Sequence, residues 1–281
     1  ILPSSLKGGR IHLTVPSAQV KSAVLIAALQ QKEEVVVQTV GTTRDHTERM
    51  ITYLGGNLKK EGRFLTISGD QSLMGKPITV PGDLSAAAFF IVAALLVPDS
   101  TILLRDVGLN PTRAGLFTVL SQTGAKVEYG PIRLLNGEPV GDIRVTYTKD
   151  LKPFSIDEHL VPLLIDEIPI LSLLATQIDG VSIIQGASEL RVKESDRLQA
   201  IYTELKALGA DIEETADGLI IRGKCQLHPA TVSSHGDHRI SMMLQIAEIL
   251  TGPLFIQDRT VDQISYPRFS SDLRQLLDKR G

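Results

Sequence analysis

Thr123-Gly124-Ala125-Lys126-Val127 reads as the end of a helix followed at once by a strand. Glycine just past a helix takes the left-handed conformation that other residues resist, and an aliphatic residue beyond it opens an extended run. The same turn recurs at Leu54-Gly55-Gly56-Asn57-Leu58 and at Leu208-Gly209-Ala210-Asp211-Ile212. One such turn is commonplace, whereas three in phase mark an internal repeat.

Four segments share one order around these turns. A strand-like stretch ends in a polar or Gly/Pro turn; a strongly apolar helix follows, then a β-rich run, an amphipathic helix and a glycine-marked return. The apolar helices are predicted at about 17–29, 84–97, 168–178 and 238–250, and the amphipathic ones at about 45–54, 112–123, 194–208 and 269–277. A helix apolar nearly all round must be buried on most faces. Yet each opens on polar residues: Ser17 and Gln19, Asp83 and Ser85, Asp166 and Glu167, Asp237 and His238. Ser and Asp there serve as N-caps at about 1 kcal/mol each. The free N–H groups of such buried helices also need partners, and termini pointed at a shared solvent cleft would suit phosphates and carboxylates. Gly-Lys-Pro and Pro-Gly-Asp punctuate residues 75–83, where a domain change is expected.

Net charge is -3, Trp is absent and aromatics are 4%, which argues against a nucleic-acid groove with its basic surface and stacking rings. The longest apolar run, 86–97, is too short to span a bilayer and is closed by Pro98. The single Cys225 has no intrachain partner, so a reducing, cytoplasmic setting and a structural thiol are expected. Cys and His show no metal spacing. The chain opens at Ile1 with no signal-peptide pattern, and reads as starting inside a longer protein.

Arg191-Val192-Lys193-Glu194-Ser195-Asp196-Arg197 packs five ionisable groups into seven residues ahead of an amphipathic helix. Read as helix, it puts Lys193 and Arg197 on one face, with Glu194 beside Arg197. Such runs are usually solvated helix starts, but the arginine fork is also the preferred partner of carboxylate and phosphate. Gly236-Asp237-His238-Arg239 sets a cation at a helix N-terminus, where it needs an anionic partner; Asp237 or a bound ligand would supply it. Arg44-Asp45-His46-Thr47-Glu48-Arg49 poses the same question, with an intrahelical Asp45–Arg49 pair as its simpler account.

At these residues the sequence resembles the EPSP synthase family. The likeness is carried in order by Val15-Pro16-Ser17-Ala18-Gln19-Val20-Lys21-Ser22-Ala23, Thr43-Arg44-Asp45-His46-Thr47-Glu48-Arg49-Met50 and Asn110-Pro111-Thr112-Arg113. It continues through Ile165-Asp166-Glu167-Ile168-Pro169-Ile170, the 189–198 run and Gly236-Asp237-His238-Arg239-Ile240. The resemblance implies an α/β fold of two domains, each a pseudo-threefold assembly of βαβαββ units around buried helices (an inside-out α/β barrel). Residues 1–80 would complete one domain and 81–281 form the second, with the fourth unit short of a strand. It implies transfer of the enolpyruvyl group of phosphoenolpyruvate to the 5-hydroxyl of shikimate 3-phosphate, in chorismate and aromatic amino acid biosynthesis. Such enzymes use no metal or cofactor and are glyphosate targets; a monomer is expected once complete, with no nucleic-acid or membrane partner.

Carried over, Ser17, Gln19 and Arg44 would bind shikimate 3-phosphate, with Gln19 bridging towards phosphoenolpyruvate. Ala18 stands where some members have a second Ser, at the cost of one phosphate contact. Asp166 and Lys193 would meet the ring hydroxyls, and Glu194, Arg197 and Arg239 would contact phosphoenolpyruvate. Asp166, Lys193 and Glu194 are the catalytic candidates, Glu194 as acid only if burial outweighs its cationic neighbours. Arg197 and Arg239 are expected to be ligands rather than surface ion-pair members, replaceable with little loss of stability. Ile264 and Ser265 stand where some relatives carry a phosphate-binding Lys. The resemblance also implies upstream active-site residues, without which the 281-residue chain would be inactive. The alternatives are a UDP-N-acetylglucosamine enolpyruvyl transferase, a phosphate-binding or nucleic-acid-end-processing protein of βαβαββ units, and a non-catalytic phosphate-ligand-binding fragment.

Overall fold

The structure, a computed structural model, describes residues 7–278. It forms two compact units. The first takes in the residues up to Pro81 together with Gly108–Arg113 and Ile132–Val140; the second takes in Gly82–Val107, Ala114–Pro131 and the remainder from Gly141. The two units thus draw on alternating stretches of sequence, with one boundary after Pro81.

The first unit runs β1 (Gly9–His12), α1 (Ala18–Ala28), β2 (Val35–Gln38), α2 (His46–Tyr53), β3 (Leu58–Glu61) and β4 (Phe64–Ile67). Its sheet has the order β1-β2-β4-β3, with β1 parallel to β2 and β4 antiparallel to both neighbours. That is one βαβαββ repeat. Alternation along β2 and β4 buries Val35, Val37, Leu65 and Ile67, which meet Leu25 of α1 and Ile51 of α2 in one core. The α1 helix departs from expectation: Lys21, Leu25 and Ala28 are buried, but Val20 and Ile26 are 42% and 55% exposed. Its apolar composition exceeds the single face that the sheet and α2 cover. Lys21 is buried as an ion pair, its ammonium 2.5 Å from Glu48 and 2.8 Å from the Arg44 carbonyl.

The second unit repeats the plan. It opens with α3 (Leu84–Leu96) and β5 (Thr101–Gly108); beyond the 3-10 turn at Pro111–Arg113, which belongs to the first unit, come α4 (Gly115–Thr123) and β6 (Lys126–Tyr129). The chain then returns through β7 (Arg133–Leu135) and the start of β8 (Glu138–Thr146), both counted with the first unit; the sheet order is β5-β8-β6, with β7 pairing the start of β8. Next come β9 (Ser155–Ile156), α5 (Val161–Leu164), α6 (Ile168–Thr176), β10 (Gly180–Ile184), α7 (Arg197–Ala207), β11 (Asp211–Glu214) and β12 (Leu219–Gly223). Their sheet, β11-β12-β10-β9, has the same parallel and antiparallel pattern as the first unit's. Last are β13 (Thr231–Ser233), α8 (His238–Thr251), β14 (Phe255–Gln257) and α9 (Phe269–Asp278), where β13 and β14 form a two-stranded parallel sheet. The fourth repeat therefore lacks its hairpin among the described residues.

The helices α3, α6 and α8 pack on one another, and here the expected burial holds. Every residue of α6 is buried, as is most of α3. Each helix also hides one serine, Ser85, Ser172 and Ser241; Ser172 returns its hydroxyl hydrogen to the Ile168 carbonyl at 2.8 Å. The repeat turns close as predicted, with Gly55, Gly124 and Gly209 at φ of 88°, 72° and 96°. Cys225 is structural: its sulfur accepts the Asp211 N–H and donates to the Arg222 carbonyl. No described helix is long and apolar enough to cross a membrane.

Candidate active site

In the first unit, Ser17 caps α1 and its hydroxyl accepts the Val20 N–H at 3.3 Å; Ala18 and Gln19 form the first turn beside it. Gln19 is exposed, and Ser17 and Ala18 are half-buried. Arg44 lies in the turn before α2, where its carbonyl is fixed by buried Lys21. The Asp45–Arg49 pair is present at 2.8 Å. Asp45 makes no cap bond to its helix, because Asn110 donates to the same carboxylate at 2.7 Å. Burial pushes the Asp45 carboxyl up, but the bonds from Arg49 and Asn110 more than offset it and hold it below its usual value. Asn110 is 1% exposed and also donates to Glu138, so the Asn-Pro-Thr-Arg motif holds its loop rather than presenting Asn110 to solvent.

The second unit gathers charges around one buried arginine. Arg197, the first residue of α7, is 1% exposed. Its Nε donates to Asp237 at 2.7 Å, Nη1 to Asp166 at 3.1 Å, and Nη2 to Glu194 at 2.7 Å. Asp237 is itself fully buried and caps α8, accepting the Arg239 N–H at 2.8 Å. Burial alone would raise the Asp237 carboxyl, but the hydrogen bonds and charge of Arg197 hold it below the usual carboxylate value. One guanidinium thus joins the starts of α6, α7 and α8.

This arrangement bears on four expectations. Arg197 is not a surface ion-pair member, as expected, but its buried fork neutralises three carboxylates, so it is not replaceable with little loss of stability. Lys193 and Arg197 do not share a helix face: Asp196 caps α7 through the Gln199 N–H, which leaves Lys193 extended outside the helix and paired with Glu189 at 2.5 Å. Glu194 is half exposed, so the burial that its acid role requires would have to come from bound substrate. Asp166 lies in a 3-10 turn, Ile165–Glu167, and Glu167 rather than Asp166 is the residue that precedes α6.

Arg239 answers the question that its sequence position raised. The Asp237 carboxylate is committed to the Arg197 side chain and the Arg239 backbone, and does not hold the Arg239 guanidinium. The Arg239 Nε is buried without a hydrogen-bond partner. A cation at a helix N-terminus is electrostatically unfavourable, and an unpaired buried donor adds to the cost. The geometry suits an incoming anion. Ile264 is 77% exposed and carries no charge.

His238 follows the cap, and burial first, then the Arg239 charge, lowers its imidazole below the ordinary 6.5. A depressed folded value means that the unfolded chain binds the proton more readily. The contribution of His238 to stability is present above about 6.5 and is lost as pH falls through the folded value. Melting temperature should drop as pH falls below about 6.5, and His238→Gln should flatten that slope; equal slopes in both proteins would contradict the assignment.

Comparison with known proteins decides the family. The family model described as EPSP synthase (3-phosphoshikimate 1-carboxyvinyltransferase) matches residues 1–273. The chain belongs to the EPSP synthase family. A 3-phosphoshikimate 1-carboxyvinyltransferase of Listeria monocytogenes serotype 4a (strain HCC23) is 49% identical over 275 residues, covering 97% of the chain and 64% of the relative. One from Geobacillus kaustophilus (strain HTA426) is 48% identical over 283 residues, covering 98% and 66%. The solved EPSP synthase of Acinetobacter baumannii superposes with a TM-score of 0.90 at 39% identity, covering 99% of this chain and 63% of that one. The enolpyruvyl transferase NikO from Streptomyces tendae, at 18% identity and a TM-score of 0.77, shares the fold; the match covers 98% of this chain and 65% of that one. The described repeats are thus those of the EPSP synthase fold. The chain spans 64% of the length of the Listeria relative.

Sequence reasoning missed the hub role of Asp237, although its position before an apolar helix marks a cap. It also missed Glu204 and His235, which meet at 2.6 Å across 31 positions. No local pattern signals that pair.

Proposed function

We propose that the protein carrying these residues transfers the enolpyruvyl group of phosphoenolpyruvate to the 5-hydroxyl of shikimate 3-phosphate, releasing phosphate. The supporting observation is Arg239, a helix-terminal cation with a buried N–H that lacks an acceptor, in a chain of the EPSP synthase family. In this reading Ser17, Gln19 and Arg44 take shikimate 3-phosphate, with Ala18 offering backbone only. Asp166 and Lys193 meet the ring hydroxyls, and Arg239 meets phosphoenolpyruvate. Arg197 reaches the same substrate when its carboxylate takes a place now held by half-exposed Glu194 or by Asp166.

The 5-hydroxyl oxygen bonds to C2 of phosphoenolpyruvate while its proton passes to a base and an acid adds a proton at C3. The C2–O bond to phosphate then breaks, a C3 proton leaves, and the enol ether remains. Asp166 is the proposed base, with the Lys193 cation beside the reacting hydroxyl, and Glu194 is the candidate acid once bound substrate covers it.

Arg239→Ala in the complete gene product should raise the KM for phosphoenolpyruvate by about thirtyfold or more, since a lost charge-assisted contact costs about 2 kcal/mol at least. Thermal stability should stay near the parent's, because Arg239 has no ion pair to lose. An unchanged KM would remove Arg239 from the site. Lys193→Met should lower turnover far more than it changes the KM for shikimate 3-phosphate; equal effects would reduce Lys193 to uniform binding.

A further inference from the structure

The loop that carries Arg239 is held from α7 at two points. Arg197, at the start of that helix, grips Asp237. Glu204, two turns further along the same face, grips the opposite end of the loop. Its carboxylate is 4% exposed; Oε2 accepts the Ser233 N–H at 3.0 Å, and Oε1 lies 2.6 Å from His235 Nε2. Between the two grips the chain turns sharply, with His235 at φ 53° and Gly236 at φ 69°. A side chain in the left-handed region persists where its surroundings over-determine it. Here the surroundings are Glu204, the Ser233 hydroxyl that accepts the His235 N–H, and the Ser234 carbonyl that accepts the Asp237 N–H.

We propose that Glu204 is a positioning residue: by holding Ser233 and His235 it fixes the 234–236 turn and so aims Arg239 at its anion. The aiming rests on the reading of Arg239 as the cation for phosphoenolpyruvate; the hold on the turn does not. Glu204 touches no substrate in this account. Without it the turn relaxes at 233–236, Asp237 still pairs with Arg197, and Arg239 is held at its start by the Asp237 cap alone. The effect falls on affinity for one substrate rather than on the chemical step.

The test compares Glu204→Gln and Glu204→Ala with the parent, all as the complete gene product. Gln keeps the size and an acceptor for the Ser233 N–H but deletes the charge facing His235; Ala deletes both. In Glu204→Ala, amides of residues 235–239 should exchange about tenfold faster or more, with those of α6 unchanged. The KM for phosphoenolpyruvate should rise about tenfold, while turnover and the KM for shikimate 3-phosphate stay within about threefold. Glu204→Gln should fall between Ala and the parent. Should Glu204→Ala fail to fold, His235→Ala, which removes a partly exposed side chain, carries the same comparison. Unchanged exchange would overturn the hold on the turn, and a loosened turn with an unmoved KM for phosphoenolpyruvate would overturn the aiming role. A parent with no turnover would sink the transferase reading instead, and exchange alone would then decide for or against Glu204.

Discussion

Replacing Asp166 by Asn is expected to lower turnover by about 10²- to 10⁴-fold with little loss of stability. The sequence offered a simpler account, in which Asp166 is the N-cap of the helix that follows. The structure moves that position to Glu167 and places the Asp166 carboxylate 3.1 Å from Arg197 Nη1, with its side chain 18% exposed. Asn retains an oxygen that can accept that N–H, and Arg197 keeps Glu194 and Asp237 as partners. Stability should therefore fall by about 1 kcal/mol at most. Asn cannot take a proton from the 5-hydroxyl, so the loss should appear in turnover with little change in either KM. Near-parental turnover in the complete gene product would end the assignment of Asp166 as base.

Arg197→Ala is the largest expected effect on the fold. It strips the counter-charge from Asp237, which is fully buried, and from Asp166 and Glu194 at the same point. Leaving a buried charge uncompensated costs about 3–5 kcal/mol. In a domain of this size that lowers the melting temperature by roughly 10 °C. Arg197→Lys should recover part of it, since an ammonium restores the charge without the planar fork that reaches three carboxylates. The depressed Asp237 value fixes the pH sense. Its contribution is present above the ordinary carboxylate range and is lost as pH falls through the folded value, so the parent and Arg197→Ala should converge in acid. A variant as stable as the parent at neutral pH would mean that the carboxylates are satisfied without Arg197.

The helix starts and the glycine-marked returns were legible because their signals are local. Asp83, Asp196 and Asp237 accept N–H groups three, three and two residues ahead, which is the spacing a cap motif announces. The α7 boundary differs despite this: Ser195-Asp196 carries the cap signal, but the charge run before it has helical spacing as well. The α1 helix is less buried than its composition suggests, because composition reports how apolar a helix is, not how many faces its neighbours cover. The Arg197 hub was out of reach for another reason. Asp166 and Asp237 lie 31 and 40 positions from it, and only the packing of α6, α7 and α8 brings them together. Lys193 illustrates the same limit in reverse: its nearest acid, Glu189, lies in the quoted motif, yet periodicity pointed to Arg197.

The central claim is tested most directly by incubating the complete gene product with phosphoenolpyruvate and shikimate 3-phosphate, together and singly, and following both phosphorus resonances and product mass. Inorganic phosphate should appear only when both substrates are present, one for each shikimate 3-phosphate converted to its 5-enolpyruvyl ether. UDP-N-acetylglucosamine in place of shikimate 3-phosphate should give none. Phosphate released without shikimate 3-phosphate, or turnover with the UDP-sugar alone, would contradict it.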